Sequence, residues 1–254
     1  MSIELTRKGT AAVLSIHRPE AMNALSRQIV DRMDALLDEV AADKTIRVLI
    51  IHSEKNFAAG ADIKEMVDCT PREAGNFSFI DTYNKLAALP IPTIAAMEGY
   101  ALGGGLEMAL ACDLRLADES AVMGFPEIRL GIMPGAGGTI RAPRLIGAAR
   151  AMELILTGAN VKADRAAEIG LVNQVVPAGT VLAAAEKLAE KLSRLSPVAL
   201  ATAKETIRRG LEIQDVTEAT KMEAEQWRGM FATHDQKEGM TAFIEKRPAV
   251  YTGT

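Results

Sequence analysis

Three consecutive glycines, Gly103-Gly104-Gly105, leave the chain few ways to fold around them. The run that follows is Leu106-Glu107-Met108-Ala109-Leu110-Ala111-Cys112, which reads as a buried helix entered from a strand through a tight turn. Between positions 99 and 112 the only charge is Glu107. A carboxylate in such apolar company is costly unless it is paired, hydrogen-bonded or protonated. Twenty residues later a second carboxylate stands in Gly124-Phe125-Pro126-Glu127-Ile128, followed by Gly131-Ile132-Met133-Pro134-Gly135-Ala136-Gly137-Gly138. Glycine-rich turns let backbone N–H groups approach a ligand closely, and helix starts beyond them favour negative charge. The 99–138 stretch therefore reads as an acid/base site with an oxyanion hole. On spacing alone, Glu107 reads equally as a structural acid paired with an arginine, and Glu127 as an exposed loop acid.

The rest of the chain is arranged around this stretch. Ala11–His17 is an expected strand closed by Arg18-Pro19, and Ser26 offers an N-cap to an amphipathic helix with Ile29, Val30, Met33, Leu36, Leu37 and Val40 on one face. Residues 46–51 form a compact strand signal, and Phe57-Ala58-Ala59-Gly60-Ala61-Asp62-Ile63-Lys64 turns into a short helix. Polar residues 68–78 suggest a mobile flap at a site mouth. A helix over about 81–89 precedes the strand Thr93–Met97. Strand, glycine turn and helix thus occur twice, at 46–66 and 93–112, a weak repeat that favours stacked β-β-α turns over a Rossmann sheet. Short strands follow at 114–117 and 121–124. The second half reads as helices over roughly 137–156, 163–168, 180–194, 197–209 and 215–246, with a strand-like interruption at 171–176.

Composition bounds the function. A chain of 254 residues, 48% hydrophobic but only 4% aromatic, suits a helix-rich α/β protein with a sizeable core. A net charge of −4 exerts no general pull toward nucleic acid or an anionic membrane. Residues 1–10 lack a signal-peptide core, and the longest uncharged run, 169–185, contains Asn173, Gln174, Pro177 and Gly179 and does not suit a bilayer. A soluble, cytoplasmic protein is expected. Cys69 and Cys112 show no metal or redox spacing, and Cys112 is expected as a buried free thiol. His17, His52 and His234 are scattered, so no metal site is expected; Tyr100 is expected in the core.

Four motifs in order, Phe57-Ala58-Ala59-Gly60-Ala61-Asp62-Ile63, Gly103-Gly104-Gly105-Leu106-Glu107, Pro126-Glu127-Ile128 and Pro134-Gly135-Ala136-Gly137-Gly138, resemble the enoyl-CoA hydratase/isomerase (crotonase) family. The resemblance runs through Glu238-Gly239-Met240-Thr241-Ala242-Phe243-Ile244-Glu245-Lys246-Arg247. It implies an α/β spiral of β-β-α units with a helical C-terminal region, divided here as a core over 1–195 and a trimerisation or lid region over 196–254. It also implies trimers that often pair into hexamers.

By the same resemblance, Ala61 and Gly104 match the two amide donors to a thioester oxygen, and Glu107 and Glu127 match the two catalytic acids. Gly135 matches a backbone position near the catalytic water. Ala59, Ala61, Asp62 and Ile63 fall in the loop that cradles CoA, and Met66 matches an acyl-pocket residue. Phe243 and Lys246 match tail positions that reach CoA in a neighbouring subunit. Leu106 and Phe125 stand where relatives vary. The activity implied is hydration of a 2-enoyl-CoA thioester, with coenzyme A carried by the substrate and no separate cofactor. A 3-enoyl to 2-enoyl-CoA isomerase, which needs Glu127 but not Glu107, is the nearest rival. A non-catalytic acyl-CoA-binding scaffold is a rival of another class.

Overall fold

The computed structural model describes residues 2–254; Met1, and the side chain of Asn76 within the 68–78 stretch, lie outside that description. Its strands are β1 (Ser2–Lys8), β2 (Ala11–His17), β3 (Val48–His52), β4 (Thr93–Met97), β5 (Tyr100–Leu102), β6 (Leu114–Asp118), β7 (Val122–Gly124), β8 (Asn160–Lys162) and β9 (Gln174–Val176). The helices begin with α1 (Arg27–Ala42), α2 (Ile63–Met66), α3 (Pro71–Ala74), α4 (Ile80–Ala88), α5 (Gly104–Ala111) and α6 (Gly138–Ile146). They continue with α7 (Ala148–Thr157), α8 (Ala163–Glu168), α9 (Val181–Ser193), α10 (Pro197–Gly210), α11 (Val216–Met230) and α12 (His234–Glu245).

Six strands form one sheet in the order β1-β2-β3-β4-β6-β9, parallel except for the β1–β2 pair. Both faces of its centre are covered, so alternate residues feed different cores. Leu14, Leu49, Ile51, Ala95 and Met97 join the large core with α1, α4 and α5. Val13, Val48, Ile50, Ile94 and Leu116 face Val181, Ala185 and Ala189 of α9 on the other side. A second sheet, β5-β7-β8, lies at the end of the first.

The two sheets are linked turn by turn. β4 runs through Glu98-Gly99 into β5 and then α5, and β6 runs into β7 and then a 3-10 helix, Pro126–Leu130. The segment after β3 takes the matching place, since Ala58 bridges Ala101, and Ala101 pairs with Met123. So the repeat seen at 46–66 and 93–112 is real and has a third member at 114–130. Continuing the register sets Ala61, Gly104 and Pro126 in one row. Three successive turns deliver their helix starts to one place.

Several elements differ from the sequence reading. β1 is an edge strand whose residues are mostly exposed, and pairing with β2 rather than its own apolar pattern makes it. The expected 137–156 helix is two, broken at Gly147, whose backbone (φ 82, ψ 153) has left the helical region. The expected 215–246 helix breaks at 231–233, where Thr233 caps α12 by accepting from the Gln236 N–H. Tyr100 is not core: it stands on the outward side of the small sheet and is exposed. Cys112 is buried and reduced, with its thiol pushed up to about 12 chiefly by burial. No helix among the described residues is long and apolar enough to cross a membrane.

Candidate active site

Each of the three turns contributes one part of a cavity of about 280 Å³. In the first, Leu25 donates to the Gly60 carbonyl at 2.8 Å, and Asp62 donates to the Leu25 carbonyl at 2.9 Å. Those are the two bonds of a parallel bridge centred on Ala61, so the Ala61 N–H points the other way, toward the cavity. Asp62 fixes this loop from behind. Its carboxylate caps α2 through the Lys64 N–H at 3.0 Å and pairs with Arg18 Nη2 at 2.6 Å. Burial pushes that carboxyl up, but Arg18 and the Lys64 amide outweigh it and hold the group below its ordinary value. Asp62 is therefore occupied as a loop clamp, and Ala59, Ala61, Ile63 and Met66 form the wall.

The second turn brings α5 in at Gly104, whose N–H is one of the helix's unpartnered first-turn donors. A β-carbon built at Gly104 lies 3.6 Å from the Ala61 nitrogen, so the two amides sit side by side. Tyr83, fully buried on α4, donates to the Gly104 carbonyl at 2.8 Å. Burial, then the charge of Glu107, pushes its phenol well up, so it stays a neutral donor.

One helical turn on, Glu107 is 2% exposed. Its Oε1 accepts from the Ala136 N–H at 2.8 Å and the Gly138 N–H at 2.7 Å. Burial raises its affinity for a proton; the amides of Gly138, Ala136 and Gly135 and the positive charge of Arg141 oppose this without cancelling it. Gly135 also lines the cavity.

The third turn supplies Glu127 from the 3-10 helix. Its Oε2 is buried and, among the described residues, has no hydrogen-bond partner. Burial, with the neighbouring charge of Glu107 adding to it, raises its carboxyl to about 7. The two acids thus differ in environment: one is cradled by the amides of a neighbouring turn, while the other keeps a buried oxygen, Oε2, without a partner among the described residues. Opposed environments of this kind split a carboxylate pair into a base and an acid. Met66, Phe77, Phe79, Leu130, Ile132 and Met133 give the cavity its apolar wall, and Ala74 and Ser78 place part of the 68–78 stretch at its rim.

Two site residues stand apart. Phe243 and Lys246 close α12, are exposed, and do not line this chain's cavity. Three that matter were not found from the sequence: Tyr83, Asn84 and Arg141. Arg141 alone carried a signal, as the one cation in the 131–143 stretch. Among the described residues no three His, Cys, Asp or Glu side chains converge as a metal site.

The Glu127 environment has a measurable consequence. Its folded-state affinity lies above the ordinary carboxylate value of 4.5, so the folded chain holds a proton that the unfolded chain has lost between those limits. The associated stability is complete below about 4.5 and fades as pH rises through about 7, a change on the order of 3 kcal/mol. Glu127→Gln, which cannot ionise, should lose this dependence. Thermal unfolding from pH 5 to 9 should show the variant gaining on the wild type as pH rises. Parallel curves would contradict the assigned environment.

The sequence model of the enoyl-CoA hydratase/isomerase family matches residues 6–254. A probable enoyl-CoA hydratase of Mycobacterium tuberculosis is 44% identical over 252 residues, covering 99% of this chain and 98% of that protein. The short-chain-enoyl-CoA hydratase of Clostridium acetobutylicum is 42% identical over 250 residues, covering 97% and 95%. A crystal structure of enoyl-CoA hydratase from Bacillus anthracis superposes with a TM-score of 0.96 at 39% identity, over 100% of both chains.

Proposed function

Since the chain belongs to the enoyl-CoA hydratase/isomerase family, we propose that it adds water across the 2,3 double bond of a 2-enoyl-CoA thioester to give 3-hydroxyacyl-CoA. The observation that carries this reading is the meeting of two unlike carboxylates with the Ala61 and Gly104 amides in one cavity. The thioester oxygen accepts from both amides and gathers negative charge as a water oxygen attacks carbon 3. Glu107 takes the proton that water loses, and protonated Glu127 gives one to carbon 2. The dipole of α5 adds its positive end at Gly104. Each amide is worth roughly 10²–10³ in rate.

The substrate carries its own coenzyme A, which Ala59, Ala61 and Ile63 cradle with the loop held by Asp62, and the reaction calls for no other cofactor. The acyl group runs past Met66. A cytoplasmic setting suits such a substrate. A spectrophotometric screen of 2-enoyl-CoA thioesters tests the reading through loss of the conjugated double-bond absorbance. No loss with any chain length, alongside conversion of a 3-enoyl-CoA, would replace hydratase by isomerase; CoA binding with neither would leave the scaffold reading.

The tail over 196–254 serves assembly in this reading. α10 and α11 bury no side chain within one chain, and Val216, Trp227, Phe243 and Ile244 stand exposed. So much uncovered apolar surface suits contact with further copies of the chain. Sedimentation should give three or six times 27.1 kDa, and truncation before Met222 should cost both assembly and CoA affinity. A stable monomer at micromolar concentration would overturn this.

A further inference from the structure

A single guanidinium that does not line the cavity, that of Arg141, ties together the parts that hold the Glu107 carboxylate. Arg141 Nη1 donates to the Ala136 carbonyl at 3.0 Å, and its Nη2 donates to Asn84 Oδ1 on α4 at 2.7 Å. Ala136 and Gly138 are the residues whose amides meet Glu107 Oε1. Gly137, between them, has φ +107, and a β-carbon there would lie 2.0 Å from Arg141 Nη1. The guanidinium therefore lies across the turn at Gly137, in the space a side chain there would need. Its anchor, Asn84, is next to Tyr83, which holds the Gly104 carbonyl.

We propose that Arg141, anchored by Asn84, is a positioning residue for Glu107: it fixes the Ala136 carbonyl so that the Ala136 and Gly138 amides converge on Oε1, and supplies the positive charge that keeps this carboxylate in its basic form. The proposal rests on the acid/base reading of Glu107. Arg141 itself touches no reacting atom. The charged and titratable groups that face Glu107 are Arg141 from α6, Glu127 from the 3-10 helix and Tyr83 from α4, with the amides of residues 135, 136 and 138. Tyr83 is neutral and Glu127 carries its proton in the proposed reaction, so burial is what opposes ionisation of Glu107 and Arg141 is the charge on the other side of the balance. Removing it raises the proton affinity of Glu107.

The test pairs kinetics with a titration that needs no substrate. Arg141→Gln should lower kcat for 2-enoyl-CoA hydration about ten- to a hundredfold, with KM within about threefold. The acid limb of its pH profile should move up by about one pH unit or more. Arg141→Lys should bring that limb back but not kcat, because one ammonium cannot bridge the Ala136 carbonyl and Asn84. Asn84→Ala, which leaves the cation in place but unanchored, should show a smaller fall in kcat. The ¹³C resonance of the Glu107 carboxyl, assigned by its loss in Glu107→Gln, should titrate at higher pH in Arg141→Gln than in wild type. An unmoved midpoint, or wild-type kcat in a folded Asn84→Ala, overturns the proposal. A wild type inactive on every 2-enoyl-CoA would instead overturn the hydratase reading, while the carboxyl titration still decides the role of Arg141.

Discussion

Glu107→Gln and Glu127→Gln should each lower kcat for hydration by at least about a hundredfold, and by up to about 10⁴, while CoA still binds. In Glu107→Gln the amide oxygen can accept from the Ala136 and Gly138 N–H groups as Oε1 does, so the local shape survives. What is lost is the site that receives the proton from water. In Glu127→Gln the buried, unpartnered Oε2 is replaced by a group unable to release a proton. Residues that act as a unit lose activity non-additively, so the double variant should be little worse than the poorer single one. Independent structural acids would give losses that add. The two acids also separate the rival chemistries. Moving a double bond from position 3 to position 2 can run through one carboxylate, carrying a proton from carbon 2 to carbon 4. Glu107→Gln near wild type with Glu127→Gln inactive would assign the isomerase.

Much of this site was legible before the structure because it is made of backbone. In the proposed reading Ala61, Gly104 and Gly135 act through N–H groups, and only small residues permit such approach, so glycine and alanine turns beside lone carboxylates mark it. The central strands read clearly because burial on both faces writes continuous apolar runs such as Val48-Leu49-Ile50-Ile51. β1 was not legible, since an edge strand borrows its structure from its partner. The breaks at Gly147 and 231–233 interrupt patterns whose apolar spacing continues across them, and only the cap geometry of Thr233 and the extended backbone of Gly147 end the helices. Tyr83, Asn84 and Arg141 escaped for a different reason. They are distant in sequence from Glu107 and reach its surroundings only because α4 and α6 pack on α5, a contact no local pattern encodes.

Alanine in place of each of the three central glycines should damage the protein in three different ways. At Gly105 a β-carbon would lie 2.2 Å from the Ala58 carbonyl oxygen and 2.7 Å from the Ala58 β-carbon. Backbone cannot yield as a side-chain tip can, so Gly105→Ala should cost about 3 kcal/mol or more and lower the melting temperature most. At Gly103 the backbone is left-handed (φ +50, ψ −125), and a β-carbon would meet Glu127 Oε1 at 2.9 Å. Gly103→Ala therefore combines backbone strain of about 1–3 kcal/mol with displacement of the acid, and should lose at least about a hundredfold in kcat. Gly104 is the discriminating position. Its nearest neighbours to a β-carbon lie at 3.6–3.8 Å, ordinary contact, and alanine is the better helix former by up to about 1 kcal/mol. Gly104→Ala should thus fold as well as wild type, yet its methyl group would crowd the space beside the Ala61 amide where the thioester oxygen must sit. A fall of roughly 10²–10³ in kcat/KM at unchanged melting temperature is expected, the loss that follows when an oxyanion donor goes unused. Full activity in Gly104→Ala would remove the paired amides from the mechanism, whatever the two carboxylates do.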